Sequence, residues 1–305
     1  MNLVVGATGV LGSEICRRLR ALDQPVRALV RQTSSARASE LGALGVHLSH
    51  GDLRWRADVE AACSGVRAVI STATAMGSRD KSLRLRAIDR DAQLQLVEVA
   101  AANGVEHFVF VSVTPNLNET APLVRYKREV ERAVRASGMR WTILQPSVFM
   151  EIWLSSLLGW DFARGRAMIF GDGTAPIHWI SVADVAEHAV RSLDDARLWN
   201  RDLPLGGPEA MSPNHVVKIF EEVAGRRYTA RRAPRAVLSL LSPAVALFNE
   251  GAASGMSMGA QSALGDVIDS PLQRELALPL TTVREYAARV AGARPQPVAS
   301  ASTPR

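Results

Sequence analysis

Three glycines stand at the first, fourth and seventh positions of GATGVLG, directly after the apolar run Leu3–Val5. Such spacing gives a tight turn, a close ligand approach to the backbone and close packing of a helix on a strand. The free N–H groups at the start of that helix bind a diphosphate. A purely structural turn is the alternative, but the position between a strand and an amphipathic helix favours diphosphate binding. The predicted contact residues are Gly6, Thr8, Gly9, Val10, Leu11 and Gly12.

The second apolar run ends at Arg31. A fold that selects NAD(H) places an acidic residue near this point to bind the ribose 2′-hydroxyl. A guanidinium instead matches a phosphate in charge and in bidentate geometry. The sequence therefore predicts NADP(H) in preference to NAD(H), the alternative being an ordinary exposed arginine at a strand end.

Two further strand ends carry residues suited to a dinucleotide. Asp52 is predicted to accept a hydrogen bond from an adenine amino group while Leu53 covers the ring, although a plain Asx turn explains the same residues. Thr72 and Ala73 are small enough to leave room for the nicotinamide ribose, with a simple loop as the alternative.

The segment after the sixth predicted strand carries the remaining candidates. Pro146 and Phe149 are predicted to border the nicotinamide, although core packing explains Phe149 equally well. Trp153, Trp160 and Trp179 are candidates for lining an apolar substrate cleft, or are plain core residues.

The elements that must position these residues alternate between β-branched runs and helical patterns, which predicts a parallel sheet covered on both faces. The predicted fold class is α/β, a Rossmann-type doubly wound sheet followed by a smaller mixed α/β lobe on the carboxyl edge. The predicted strands are Leu3–Val5, Val26–Val30, Val46–Ser49, Ala68–Ser71, Phe108–Val111 and Trp141–Leu144. The predicted divisions are an NAD(P)-binding domain at 1–145, the substrate lobe at 146–293 and a disordered tail at 294–305.

Composition excludes several classes. The two cysteines lack disulfide or metal spacing, so no metal site is expected. The net charge of +6 is small for 305 residues, so no nucleic acid partner is expected. The densest basic run is interpreted as a solvated surface, with a phosphate-bearing partner as the alternative; it comprises Arg226, Arg227, Arg231, Arg232 and Arg235.

The amino-terminal sequence and the short length of the apolar runs predict a cytoplasmic protein without a membrane partner. The amino terminus lacks the basic region and cleavage site of a signal peptide. The longest apolar stretch, 236–248, is too short to span a bilayer. Helix starts are predicted at Ser181, Ser212 and Thr282, each of which stands where a cap is expected.

The combination of GATGVLG, VRALVR, GDL, HFVFVSV and a lysine followed by GMRWTILQPSVFM resembles the NmrA-like group of atypical short-chain dehydrogenases/reductases, over nearly the whole chain. The resemblance implies either an NADPH-dependent reductase of small aromatic or quinone-like compounds or a regulator that binds NADP without turnover. The first is the leading hypothesis, with a small, mostly apolar carbonyl or unsaturated substrate. A homodimer or a protein partner stays open.

The candidate reaction centre departs from the Tyr-x-x-x-Lys arrangement of ordinary short-chain enzymes, because Val130 stands where the lysine would be. Ser112 and Tyr126 fit the remaining spacing. Lys127 resembles the lysine of the isoflavone-reductase-like branch, which implies that it binds the nicotinamide ribose or donates a proton. A solvated helix charge is the alternative for Lys127.

Overall fold

The computed structural model describes residues 1–78, 80 and 82–292; the predicted tail at 294–305 lies outside the described residues. The strands are β1 (Asn2–Val5), β2 (Val26–Val30), β3 (His47–His50), β4 (Ala68–Ser71), β5 (His107–Val111), β6 (Arg140–Pro146), β7 (Arg166–Phe170), β8 (Ile177–His178), β9 (Arg201–Leu205), β10 (Ala210–Met211) and β11 (Thr229–Ala233).

The helices alternate with these strands in the first half of the chain and dominate its last third. They are α1 (Val10–Ala21), α2 (Ala36–Ala43), α3 (Arg56–Cys63), α4 (Gln93–Ala102), α5 (Pro122–Ala136), α6 (Met150–Trp153), α7 (Val182–Arg191), α8 (Pro213–Ala224), α9 (Arg235–Ala246), α10 (Glu250–Ser262), α11 (Pro271–Leu276) and α12 (Val283–Gly292). A π-helical segment, Ala87–Ala92, leads directly into α4.

Within the described residues, the central sheet has seven parallel strands in the order β3-β2-β1-β4-β5-β6-β9. The six predicted strands are all present with small differences at their ends, and the Rossmann-type fold class is confirmed. One expectation needs correction, because the chain beyond Pro146 also extends the sheet through β9. The polar residues Arg201 and Asp202 are exposed, as suits an edge strand.

Both faces of the sheet are covered, which explains why its strands are apolar on both sides. On one face Ile15 of α1 and Val185 of α7 are buried in a single apolar cluster with β1 and β2. On the other face Val59, Leu96 and Val130, from α3, α4 and α5, pack together. Helix α7 covers this sheet and strand β9 belongs to it, although both follow residue 146 in sequence. The division into domains at 1–145 and 146–293 stays a prediction.

The C-terminal lobe contains two small sheets, in which β8 pairs with β10 antiparallel and β7 pairs with β11 parallel. Its core is aromatic: Trp160, Phe220 and Tyr286 are all buried in one cluster. The parallel rings of Phe162 and Phe220 stack with centroids 5.2 Å apart.

Side-chain caps begin the three helices predicted from cap signals. The Oγ of Ser181 accepts from the backbone N of Ala183 at α7, and the Oγ of Ser212 accepts from His215 at α8. Thr282 and Glu285 form a reciprocal capping box at α12. Asp184 does not complete such a box, because its carboxylate accepts from the backbone and hydroxyl of Thr281.

Both thiols lie in the core of the sheet domain. Cys16 and Cys63 are fully buried, and burial raises the pKa of Cys16 to about 12 and that of Cys63 to about 11. No group of three His, Cys, Asp or Glu residues suited to a metal ion exists in the described part of the chain. Among the same residues, no helix has the length and apolar content needed to cross a bilayer.

A buried histidine should make the fold sensitive to acid. Thr142 Oγ1 donates to Leu198 O and lies 3.0 Å from His107 Nε2, so Nε2 carries the proton. The other ring nitrogen, Nδ1, has no partner among the described residues. Burial, followed by the charges of Arg140 and Arg67, lowers the His107 pKa from 6.5 to about 4.

Protonation of His107 therefore favours the unfolded chain, which binds the proton first as the pH falls. We expect the free energy of unfolding to drop by about 3 kcal/mol from this residue between pH 6.5 and pH 4. Urea unfolding at several pH values should show a smaller drop for His107→Phe than for wild type. His47→Phe, at an exposed histidine, should leave the drop unchanged; a wild-type slope in His107→Phe would contradict this.

Candidate cofactor-binding and reaction site

The turn after β1 is built tightly around Gly6. Its φ is +85°, and a Cβ there would lie 2.7 Å from both Ala73 N and Thr72 Oγ1. Only glycine fits this left-handed backbone at such a close approach. The turn thus touches the end of β4, where the strand order reverses and α/β folds bind their ligands.

The first turn of α1 packs directly on the Gly6 turn. A Cβ at Gly12 would lie 2.3 Å from the carbonyl oxygen of Gly6, and a Cβ at Gly9 would lie 3.1 Å from the same oxygen. The backbone N of Gly9 donates to that oxygen at 2.9 Å. This contact fixes the direction in which the first amides of α1 point.

The amino terminus of α1 fits a diphosphate. Its N-cap is Gly9, no side chain of the described residues caps it, and its first turn carries no acidic residue. The first N–H groups of the helix are thus open to a ligand with the positive end of the helix dipole behind them. Val10 is 48% exposed, so it faces outward beside these amides. The predicted loop is present as a cradle that a larger side chain at Gly9 would fill.

Arg31 and Arg37 both follow β2, the strand that pairs with β1. Arg31 follows β2, is about half exposed, and pairs with Asp80 at 3.0 Å between Nη1 and Oδ2. Arg37, on α2, donates from Nη1 to the carbonyl oxygen of Thr8 at 2.9 Å. Sequence reasoning singled out Arg31 but missed Arg37, although its position just after the second strand was an available signal.

Asp52 and Leu53 are held by contacts within the protein. Arg54 binds both carboxylate oxygens of Asp52, and this hydrogen bonding keeps the pKa of Asp52 below its ordinary value. The side chain of Leu53 is 7% exposed and packs in the core. The predicted adenine contacts of these two residues stay predictions, and Leu53 has little surface left to cover a ring.

The end of β4 is pinned by polar contacts. Thr72 Oγ1 lies 3.2 Å from Val5 O and 3.3 Å from Gly6 O. Gln93 donates from Nε2 to Ala73 O at 3.1 Å and accepts from Ser71 Oγ at 2.8 Å. The small residues Thr72 and Ala73 therefore lie against the Gly6 turn. Their predicted position beside the nicotinamide ribose stays a prediction.

Lys127 is not a solvated helix charge. It is 4% exposed, its Nζ donates to Val111 O at 3.0 Å, and it lies 4.8 Å from the ring centre of Phe110. Burial lowers the pKa of Lys127, and the carboxylates of Asp89 and Glu131 oppose that shift. The amino group therefore lies at the carboxyl end of β5, and its proton affinity is lowered.

Asp89 is an acidic neighbour of Lys127 that no sequence pattern indicated. It is fully buried in the π-helical segment Ala87–Ala92, and its Oδ1 lies 4.0 Å from Lys127 Nζ. Oδ2 accepts from Ala75 N at 2.8 Å, whereas Oδ1 has no hydrogen-bond partner in the described chain. Burial raises the pKa of Asp89, opposed first by the charge of Lys127.

Ser112 belongs to a second buried network. Its Oγ donates to Glu131 Oε1 at 2.5 Å, and the same oxygen accepts from Arg128 at 2.6 Å and Gln145 at 3.1 Å. Burial raises the pKa of Glu131, but these hydrogen bonds and the charge of Arg128 outweigh burial and lower it. Ser112 is placed near Lys127 at the end of β5, with its hydroxyl bound to a carboxylate.

Tyr126 points toward α10 and away from this network. Its hydroxyl donates to Glu250 at 2.6 Å. Burial, followed by that contact, raises the pKa of Tyr126. As adjacent residues on α5, Tyr126 and Lys127 face different neighbours, which is the expected result of their separation by about 100°.

The segment after β6 borders the same edge of the sheet. Pro146 ends β6, and Phe149 is half-buried and bridges to Ile180.

Trp153, Trp160 and Trp179 pack around a small apolar cavity of about 20 Å³ in the C-terminal lobe. That volume is of the order of one water molecule, so these rings act as core in this structure.

A family model described as the NmrA-like family matches residues 2–286. The chain belongs to the NmrA-like family. An NAD(P)H azoreductase of Xenophilus azovorans is 34% identical, over 75% of this chain and 77% of the relative. The photosystem II assembly factor Ycf39 of Guillardia theta is 31% identical, over 77% of this chain and 74% of the relative.

Solved structures share the fold of this NmrA-like protein. An NADPH-dependent quinone oxidoreductase of Escherichia coli, complexed with NADPH, superposes with a TM-score of 0.76 at 21% identity. The match covers 95% of this chain and 99% of the other. Similarity at this level of identity establishes the fold alone.

The contact of α1 with the Gly6 turn can be tested by adding one methyl group. Gly12→Ala should lower the free energy of unfolding by about 1–3 kcal/mol, because its Cβ would overlap a backbone oxygen that cannot move freely. Gly42→Ala is the matched control, since the nearest atom to its Cβ is a leucine methyl at 3.6 Å. The control should be neutral or slightly stabilising in chemical unfolding; equal effects would contradict the close contact.

Proposed function

We propose that this chain is a reductase that binds NADP(H) and transfers a hydride to a small, mostly apolar quinone-like, carbonyl or unsaturated compound. The observation that carries the proposal is the position of Lys127. Its buried amino group lies at the end of β5, on the same edge of the sheet as the open amides of α1. One edge thus offers both an anion-binding cradle and an ammonium group.

The cofactor would be held by the residues already described. The amides of Val10 and Leu11 would bind the diphosphate, the missing side chain of Gly9 would let it approach the backbone, and Thr72 and Ala73 would border the nicotinamide ribose. Arg31 would exchange its ion pair with Asp80 for the 2′-phosphate, with Arg37 nearby. When bound, the reduced nicotinamide supplies the hydride.

Lys127 would supply the proton that completes the reduction. A carbonyl that accepts a hydride becomes an alkoxide, or a phenolate from a quinone, and needs one proton. The lowered pKa of Lys127 brings its proton affinity nearer to neutrality, which suits a general acid that acts directly or through a water molecule. Asp89 would hold the ammonium group in place and favour its charged form.

The names of similar proteins support a reductase. One relative is an NAD(P)H azoreductase, and one structural neighbour is an NADPH-dependent quinone oxidoreductase. Azo compounds and quinones are both flat, conjugated acceptors of two electrons and two protons. An acceptor of this class would suit a site that holds a reduced nicotinamide beside the ammonium group of Lys127.

A second candidate is a protein that senses NADP(H) without turnover and passes the signal to a partner. Two observations favour it. The hydroxyls of Ser112 and Tyr126 are both bound to carboxylates, and Val130 replaces the lysine of the usual pair. One relative is also named as an assembly factor rather than an enzyme.

Replacement of Lys127 separates the two candidates. Lys127→Met should reduce kcat for quinone reduction by about 10²- to 10⁴-fold, because the general acid is lost. Lys218→Met, at an exposed lysine of α8, should keep wild-type turnover. NADPH binding measured by calorimetry must be retained for the comparison to count. Wild type that binds NADPH but reduces no quinone, azo compound or enone would favour the sensor.

Asp89→Asn tests the support of the ammonium group. Because the carboxylate opposes the lowering of the Lys127 pKa, its removal should lower that pKa further. The alkaline limb of the kcat profile should therefore move to lower pH, a change that a purely structural role would not produce. An unmoved limb would argue against Asp89 as a positioning residue.

Cofactor preference depends on Arg31. Arg31→Asp should weaken NADPH binding by about 10- to 100-fold, since a charge-assisted contact becomes repulsive, and should spare NADH. Titrations followed by intrinsic tryptophan fluorescence measure both affinities. Arg132→Asp, at an exposed arginine of α5, is the matched control. Equal affinity of wild type for NADPH and NADH would refute the preference for NADP(H).

A further inference from the structure

Helix α9 is apolar on all sides, which is unusual for a helix at the surface. Its sequence, RAVLSLLSPAVA, contains Arg235 as its one charged residue. Among the described side chains of this helix, Ser242 alone is buried. An apolar helix of this kind normally lies inside a protein core or against a membrane.

The large apolar side chains of α9 and the turn after it point outward. Positions 237, 240, 241 and 247 follow the helical period, so they share one face, and 248 continues it. Their exposed fractions are large: Val237 48%, Leu240 78%, Leu241 47%, Leu247 80% and Phe248 91%. We call these five residues the α9 face.

The opposite side of α9 packs on α10, and α10 is anchored to α5, the helix that carries Lys127. Ser254 Oγ accepts from Leu123 N at 3.0 Å, and Glu250 accepts from the hydroxyl of Tyr126. A Cβ at Gly255 would lie 3.3 Å from the terminal methyl of Met76, on the loop after β4. The α9 face is therefore the outer surface of a helix pair that borders the candidate site.

The chain that leads into α9 is positively charged. Arg231 and Arg232 are exposed on β11, and Arg235 begins the helix. No salt bridge to these three arginines is found within the described ranges. The charge of Arg232 acts on Asp172, whose pKa is lowered mainly by hydrogen bonds from Thr174 and in small part by Arg232. Arg232 donates to the neutral side chain of Asn214 at 2.9 Å. An apolar face beside arginines that form no ion pair in the described ranges matches a lipid bilayer, which has an apolar interior and can carry anionic headgroups.

We infer that the α9 face docks on an anionic lipid bilayer, with its leucines and Phe248 among the acyl chains and the arginines at the headgroups. A second copy of the chain is a poorer occupant, because a two-fold contact would bring two sets of arginines together. A helix of 12 residues is too short to span a bilayer, so it would lie in the interfacial plane.

This inference goes beyond the proposed reduction and replaces the expectation that the chain has no membrane partner. It does not depend on turnover, because the α9 face and its arginines stand apart from the cofactor cradle. If both proposals hold, the site would lie beside the phase in which apolar substrates concentrate.

The test is flotation of the full chain with lipid vesicles. Wild type should float with vesicles that contain phosphatidylglycerol and much less with pure phosphatidylcholine, and high salt should weaken the binding. The double variant Leu247→Asp, Phe248→Asp should bind about tenfold or more weakly. Leu22→Asp, at a leucine that is 63% exposed on the far end of α1, should bind like wild type.

The charge contribution needs its own pair of variants. Arg231→Glu with Arg235→Glu should reduce binding to the anionic vesicles, whereas Arg132→Glu on α5 should not. Thermal unfolding of each variant confirms that it is folded. Failure of wild type to float with anionic vesicles would overturn the inference. A dimer that the Leu247→Asp, Phe248→Asp variant dissociates would also overturn it, in favour of a second copy.

Discussion

The contact between Gly12 and the carbonyl oxygen of Gly6 determines where the amides of the first turn of α1 point. A Cβ at Gly12 would lie 2.3 Å from that oxygen, so the helix can approach the turn only because the side chain is absent. The same turn touches the end of β4 through Gly6. Three elements are thereby fixed at one point of the sheet edge. Rearrangement of any one of them would move the amides of the first helical turn.

The burial of Lys127 is the second constraint. An ammonium group removed from water is costly unless it is paired, and here a backbone carbonyl, an aromatic ring and one carboxylate compensate. The π-helical segment contributes, since it places Asp89 inside rather than at the surface. Two carboxylates, Asp89 and Glu131, act on the charge of this group, and their own pKa values are shifted in opposite directions.

The sequence was most informative where the hydrophobic periodicity and the spacing of glycines are clear. The strands β1, β2 and β4 and the starts of α7, α8 and α12 follow directly from them. It was least informative where a role depends on distant contacts. Asp89 looks like an ordinary helix residue among arginines, and nothing local shows that its carboxylate meets Lys127.

Ion pairs and short strands likewise depend on contacts between residues that are distant in sequence. The exposure of Arg31 was foreseeable, but its pairing with Asp80, 49 residues away, was not. Strand β9, with the sequence RDLPL, was not predicted, because two polar residues and a proline interrupt the apolar pattern of a strand. Its pairing with β6 is what makes it a strand.

The inert state of the two thiols has a consequence for an enzyme that would handle quinones. Quinones are electrophiles that arylate cysteine thiolates, and the thiolate is the reactive form. Cys16 and Cys63 are fully buried, and their raised pKa values leave almost no thiolate near neutrality. Its two cysteines are thus protected from arylation by the compounds that the protein is proposed to reduce. A cysteine introduced at the surface would, by contrast, offer such reagents an accessible thiolate.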